Sequence, residues 1–369
     1  MDDGIVVLRD SGTEMRRGMA KAVTLADIAK KAGVSTVTVS NALSGQKGVS
    51  DEMREKIRRI ADELGYVKPA SSEKNDSSKK SLTVGVAVME RYLQEYQSFY
   101  WSLYQEISRC AMEMNCLTML EIVSYEAERK HWIPKVVSEN KVDALIAMGT
   151  FEKACARFWQ NTLTVPLLFL DEMDPLGTGD AVVINNIMGA YTVTNYLFEQ
   201  GHTRIGFVGT RMSTTSIDNR FFGYVKSMME HGMEIRKDWL IDDRDRETGK
   251  MDEENCFVLP EDMPTAFFCN CDLTASLLIR KLKKSGYSVP EDISVAGFDH
   301  FLSVQAMGIS DISITTYEVD LREMARRGIQ TLLHRIENPN SPGGIIMVGG
   351  GRFVEGDSTR RIGLPVPFI

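Results

Sequence analysis

The stretch Val23–Tyr66 constrains this chain more than any other, because it packs three helix signals into just over forty residues. Thr24 with Asp27 three positions later is a capping-box start, and Leu25, Ile28, Ala29 and Ala32 then share one helical face. Gly33 breaks that helix, and Ser35 is the N-cap of the next. Ser50, followed by Asp51 and Glu52, opens a third helix on which Met53, Ile57, Ile60 and Leu64 recur at helical spacing, with Gly65 as its stop.

The middle segment needs a decision. By residue preference Ser35–Asn41 is a strand, since it is β-branched and alternating. A second helix joined to the first by a tight turn containing Gly overrules that preference and brings Val34, Val39 and Leu43 against the first helix. Thr36, Val37, Thr38 and Asn41 then face outward near the helix N-terminus. Such side chains suit the major groove of DNA: an Asn amide pairs with adenine, and Thr or Val methyls meet a thymine methyl. The alternative is a three-helix packing module that binds no nucleic acid.

Thr24, Asp27, Ala29, Ala32, Gly33, Val34, Ser35, Val39, Ser40, Val49, Ser50, Arg54, Leu64, Gly65 and Tyr66 follow one pattern. The run resembles the DNA-binding headpiece of the lactose-repressor (LacI) family. The resemblance implies a transcription regulator, of the repressor kind, that binds a near-palindromic operator as a homodimer. With the outward face read above, the candidate DNA-binding residues are Thr24, Ser35, Thr36, Val37, Thr38, Asn41, Ser50 and Arg54.

Charge supports a division of labour. The whole chain carries −8, yet Met15–Lys68 holds eleven Lys and Arg against six Asp and Glu, a net of +5. Residues 1–14 sum to −3, leaving −10 for residues 69–369. A basic head on an acidic body fits phosphate contact by one part only. No apolar run reaches the ~18 residues of a membrane span, and the N-terminus lacks the layout of a secretory signal, so a cytoplasmic protein is expected. The six cysteines show no metal-type repeat and read as free thiols, mostly core.

At 369 residues more than one domain is expected. Residues 1–22 read as a disordered extension, and Arg16-Arg17-Gly18 just before Met19 suggests a natural start at Met19. Residues 23–68 form the headpiece and 69–81 a polar linker in which Lys74, Lys79 and Lys80 can touch phosphates. The family places a hinge-helix leucine here that wedges into the minor groove; no leucine lies between Val67 and Leu82. Beyond it, short apolar runs alternate with helical stretches in two series, which predicts an α/β body of two parallel-sheet subdomains. Helices are expected near 99–115, 126–139, 151–161, 187–200, 218–232, 272–285 and 319–336. The resemblance implies a periplasmic-binding-protein-like body with discontinuous lobes: 82–184 plus 314–340, and 185–313 plus 341–369.

Ligands of open α/β sheets sit beyond the carboxyl ends of the strands. Phe99, Tyr100, Asp171, Arg220, Cys271 and Asp299 meet that condition or match family ligand contacts, and form the candidate effector site. Arg220 and Asp299 could instead form a cleft salt bridge. Cys271-Asp272 stands where the family commonly has Asn-Asp. A small polar metabolite, most simply a sugar, is the expected effector; the alternatives are control by a partner protein, as in the catabolite-control branch, and, remotely, a solute-binding protein. No metalloprotease, nucleophile-elbow or P-loop pattern occurs, so neither an enzyme nor a cofactor or metal site is expected. The ending Gly363–Ile369 cannot form a heptad helix, which argues for a dimer over a tetramer.

Overall fold

The computed structural model describes residues 23–44, 48–64, 66, 81–93, 99–173, 176–246, 248–252, 255–300 and 312–369. The chain divides after Lys80 into two units. The proposed extension, Gly65 and the linker as far as Lys80, with its lysines, lie outside the described residues.

The first unit is three helices: α1 (Leu25–Ala32), α2 (Thr36–Ser44) and α3 (Asp51–Glu63). Asp27 accepts both the Thr24 backbone N–H at 2.8 Å and its hydroxyl at 2.7 Å, closing the start of α1. Gly33 ends α1 in the left-handed conformation at φ 74°, which glycine adopts without a Cβ penalty. The Ser35 and Ser50 hydroxyls accept the N–H groups of Thr38 at 3.1 Å and Met53 at 3.4 Å, capping α2 and α3. Ile28, Val39, Ala42 and Ile57 are fully buried between the helices. Burying one Val or Ile contributes about 1.5–3 kcal/mol, against the few tenths by which a β-branched residue disfavours a helix. That difference explains why the strand-like Thr36–Ser44 is helical.

The second unit contains a six-stranded sheet and a four-stranded sheet. The first joins β1 (Leu82–Met89), β2 (Cys116–Val123), β3 (Ala144–Met148), β4 (Leu167–Leu170), β5 (Asp180–Ile184) and β11 (Ile345–Val348), all in parallel. The second joins β6 (Ile205–Val208), β7 (Leu240–Ile241), β8 (Ala266–Cys269) and β9 (Ser294–Ala296), also in parallel. Central strands such as β3 are buried throughout, as strands covered on both faces must be. Helices α4 (Phe99–Glu113), α8 (Asn186–Glu199), α9 (Thr215–Glu230) and α10 (Asp272–Lys284) follow strands in each series. Among the described residues no helix is long and apolar enough to cross a membrane.

Two expectations are corrected. The helix expected over 126–139 is two short ones, Tyr125–Arg129 and Lys135–Ser138. His131 takes φ 53° and Pro134 caps the second piece, so the i→i−4 ladder cannot run through. The lobe boundary at 341 also fails: Ile345–Val348 pairs with Ala181–Ile184 and so extends the first sheet, not the second. The chain then crosses back, because β12 (Arg352–Val354) pairs antiparallel with β10 (Thr316–Glu318), and the Ser358 hydroxyl donates to Val295 O at 2.6 Å in the second lobe.

Candidate functional site

In the headpiece, the outward side of α2 carries the predicted reading residues. Val37 is 65% exposed. Thr36 is exposed, and Thr38 and Asn41 are half-buried. Four other candidates already have structural bonds. Thr24 is tied to Asp27, Ser35 and Ser50 are N-caps, and Arg54 donates to Ala42 O at 3.4 Å across the α2–α3 contact. Thr36 and Val37 stand exposed and Asn41 half-exposed on α2, while the Thr38 hydroxyl is bonded to that of Ser35 at 2.9 Å.

In the second unit, a cavity of about 230 Å³ lies past the carboxyl ends of both sheets, and Phe99, Tyr100, Asp171, Arg220, Cys271 and Asp299 all line it. Tyr100, in the first turn of α4, donates its hydroxyl to Asp171 Oδ2 at 2.9 Å. Gly149 makes this possible: it has φ 80°, and a Cβ there would sit 2.9 Å from the Tyr100 ring. Tyr92 packs against the Tyr100 ring at 4.5 Å and Phe99 meets it edge-on at 5.2 Å, giving one aromatic wall.

The opposite wall is ionic. Arg220 of α9 forks onto Asp299 at 2.8 and 3.2 Å, donates to Asn186 Oδ1 at 2.8 Å and to Asn270 O at 2.6 Å, and lies 4.0 Å over the Phe298 ring. The cleft salt bridge is thus present. Asp171 and Asp299 both occupy left-handed backbone, at φ 64° and 92°, a conformation rare outside glycine and typical of functional loops. Cys271 caps α10, its sulfur accepting the Thr274 N–H at 3.5 Å.

Burial decides the protonation behaviour here. It pushes the Asp171 carboxyl up to about 7, against the pull of Arg220 and with help from the Asp299 charge. Asp299 is also raised by burial, although Arg220 opposes the rise. Burial lifts the Cys271 thiol to about 11, which makes it a poor nucleophile. For Asp243, burial works upward, but Arg244 and the surrounding donors hold it well below the usual carboxylate range.

Two family descriptions match this chain: "bacterial regulatory proteins, lacI family" over residues 24–68, and "periplasmic binding protein-like domain" over 194–359. The chain thus joins a lacI-family DNA-binding region to a periplasmic-binding-protein-like domain. Among its relatives, the transcriptional repressor CytR of Escherichia coli is 27% identical over 342 residues, 92% of this chain and 97% of its own. The transcriptional repressor PurR of Aliivibrio salmonicida is 26% identical, covering 85% of this chain and 92% of its own. The ribose operon repressor of Haemophilus influenzae is 26% identical, covering 86% and 93%. Two solved structures share the fold. A transcriptional regulator CelR–cellobiose complex gives TM-score 0.62 at 22% identity over 91% of this chain and 99% of its own. The lac repressor dimer bound to operator and an anti-inducer gives 0.59 at 22% over 92% and 100%.

Within this periplasmic-binding-protein-like body, the cavity also presents residues that no sequence motif marks. Arg91 donates twice to Glu128, at 2.8 and 3.2 Å, and to Thr150 O at 2.7 Å. Arg244 donates twice to Asp243, at 3.0 and 2.8 Å. Asn270 faces the cavity one position before Cys271, but its amide donates to Asp243 at 2.7 Å and to Thr274 at 3.1 Å, so it does not replace the amide missing at 271. The one available signal was position: each follows a strand's carboxyl end by one to three residues.

Proposed function

We propose that this protein is a transcriptional repressor that binds a near-palindromic operator as a homodimer and is controlled by a small polar metabolite held between its two α/β lobes. The observation that carries the reading is the combination, in one chain, of a helix-turn-helix unit with an exposed α2 face and a small cavity built at the carboxyl ends of two sheets. The relatives' names point the same way: repressors, one of them of a ribose operon, and a structure holding cellobiose. Neutral hydroxyl-rich or ring compounds suit the aromatic wall and the Asp171 acceptor.

In this mechanism α2 of each headpiece enters a major groove, with two half-sites roughly one helical turn apart. Thr36, Val37 and Asn41 contact base edges, and the caps at Thr24, Ser35 and Ser50 hold the helices in place. A ligand bridging Tyr100 and Asp171 in one lobe to Arg220 and Asp299 in the other changes the angle between lobes. In a dimer that alters the spacing of the headpieces and hence the grip. Selection of bound duplexes from a random-sequence library tests the DNA half. A symmetric motif enriched over successive rounds is expected; a pool that stays random would refute it.

A further inference from the structure

We infer that the cavity takes an uncharged ring compound bearing a hydrogen-bond donor for Asp171 and excludes its phosphorylated or carboxylated forms. This rests on the reading of the cavity as the effector site. A cavity lined by three arginines looks suited to an anion at first sight. Here each guanidinium is already bonded to its own carboxylate through two nitrogens: Arg91 to Glu128, Arg220 to Asp299 and Arg244 to Asp243. Glu128 and Asp243 are completely buried. Each guanidinium charge is thus already neutralised, so an anionic ligand gains no uncompensated positive partner unless it displaces a carboxylate, which would leave a buried charge unpaired and is strongly unfavourable. Lys250 lines the cavity as well, but at an exposed position where water and salt screen it.

The unsatisfied group has the opposite character. Asp171 is only 5% exposed, and its Oδ1 is buried without a partner among the described residues, while Oδ2 holds the Tyr100 hydroxyl. A buried oxygen acceptor beside an aromatic wall calls for a ligand that supplies an O–H or N–H and a flat or apolar face. A hydroxyl-rich sugar ring and a nucleoside share that chemistry. An acidic group on the ligand would face Asp171, Asp299 and Asp272 together.

The test uses the full chain and matched pairs: ribose and ribose 5-phosphate, glucose and glucose 6-phosphate, cytidine and its 5′-monophosphate, adenosine and its 5′-monophosphate, with cellobiose added. Thermal shift identifies binders and calorimetry measures them. An uncharged member is expected to bind, and its phosphorylated partner to bind about 10- to 100-fold more weakly. Asp171→Asn should weaken the uncharged binder by about tenfold or more, whereas Asp299→Asn, which frees Arg220, should narrow the gap between the pair. Preferential binding of a phosphorylated member overturns the inference and leaves the effector reading intact. Silence from every compound counts against both.

Discussion

At the scale of single residues, Asp171 combines a cost to the folded state with a use in binding. Its carboxyl stands near 7 when folded, lifted first by burial, and near 3.9 in an unfolded chain. Between those values the folded protein keeps a proton that the unfolded chain has released. The contribution of this residue to stability is therefore full below about pH 4 and lost as pH rises through 7. Asp171→Asn should raise the melting temperature by a few degrees at pH 8, with the gain shrinking towards zero near pH 4. Calorimetry across that range checks the sign; a variant less stable than the parent at pH 8 would contradict it. In the headpiece, Asn41→Ala should relax sequence preference by about 1–3 kcal/mol at one base pair. Binding to single-substituted operator duplexes measures this, and unchanged discrimination would remove Asn41 from the reading face.

At the scale of elements, the sequence was most legible where burial is two-sided. Strands such as Ala144–Met148 show as continuous apolar runs because both faces are covered. The headpiece was legible through its caps, all three of which form. The sheet to which Ile345–Val348 belongs was not legible: the strand lies at an edge with Ile345 and Met347 exposed, and periodicity carries no information about which lobe it joins. Likewise Arg91 is not legible from spacing, because its partner Glu128 lies 37 residues away, and the adjacent Asp243–Arg244 pair belongs to no motif that would mark it. Placement also has its own test. Gly149→Ala puts a methyl group into the Tyr100 ring at a positive φ, so it should displace that ring from Asp171. Effector affinity should fall by about tenfold while operator affinity without effector stays within about twofold; unchanged effector binding would show that the Tyr100 position is not critical.

At the scale of the whole molecule, the proposed mechanism makes a demand that no single residue makes. The cavity and α2 belong to separate compact units, and in the proposed mechanism ligand and DNA influence one another through the equilibrium between lobe arrangements. If the effector changes operator affinity by some factor, the operator must change effector affinity by the same factor, whichever the direction. Couplings of this kind typically amount to about 5- to 150-fold. Anisotropy of labelled operator with and without the uncharged binder gives one ratio. Calorimetry of that binder on free and operator-bound protein gives the other. Equal ratios well away from one are expected, and they should persist in Thr36→Ala, which weakens the grip on DNA without touching the lobes. Ratios of one on both sides, with effector and operator each binding tightly, would mean that the cavity is occupied without regulating the headpieces.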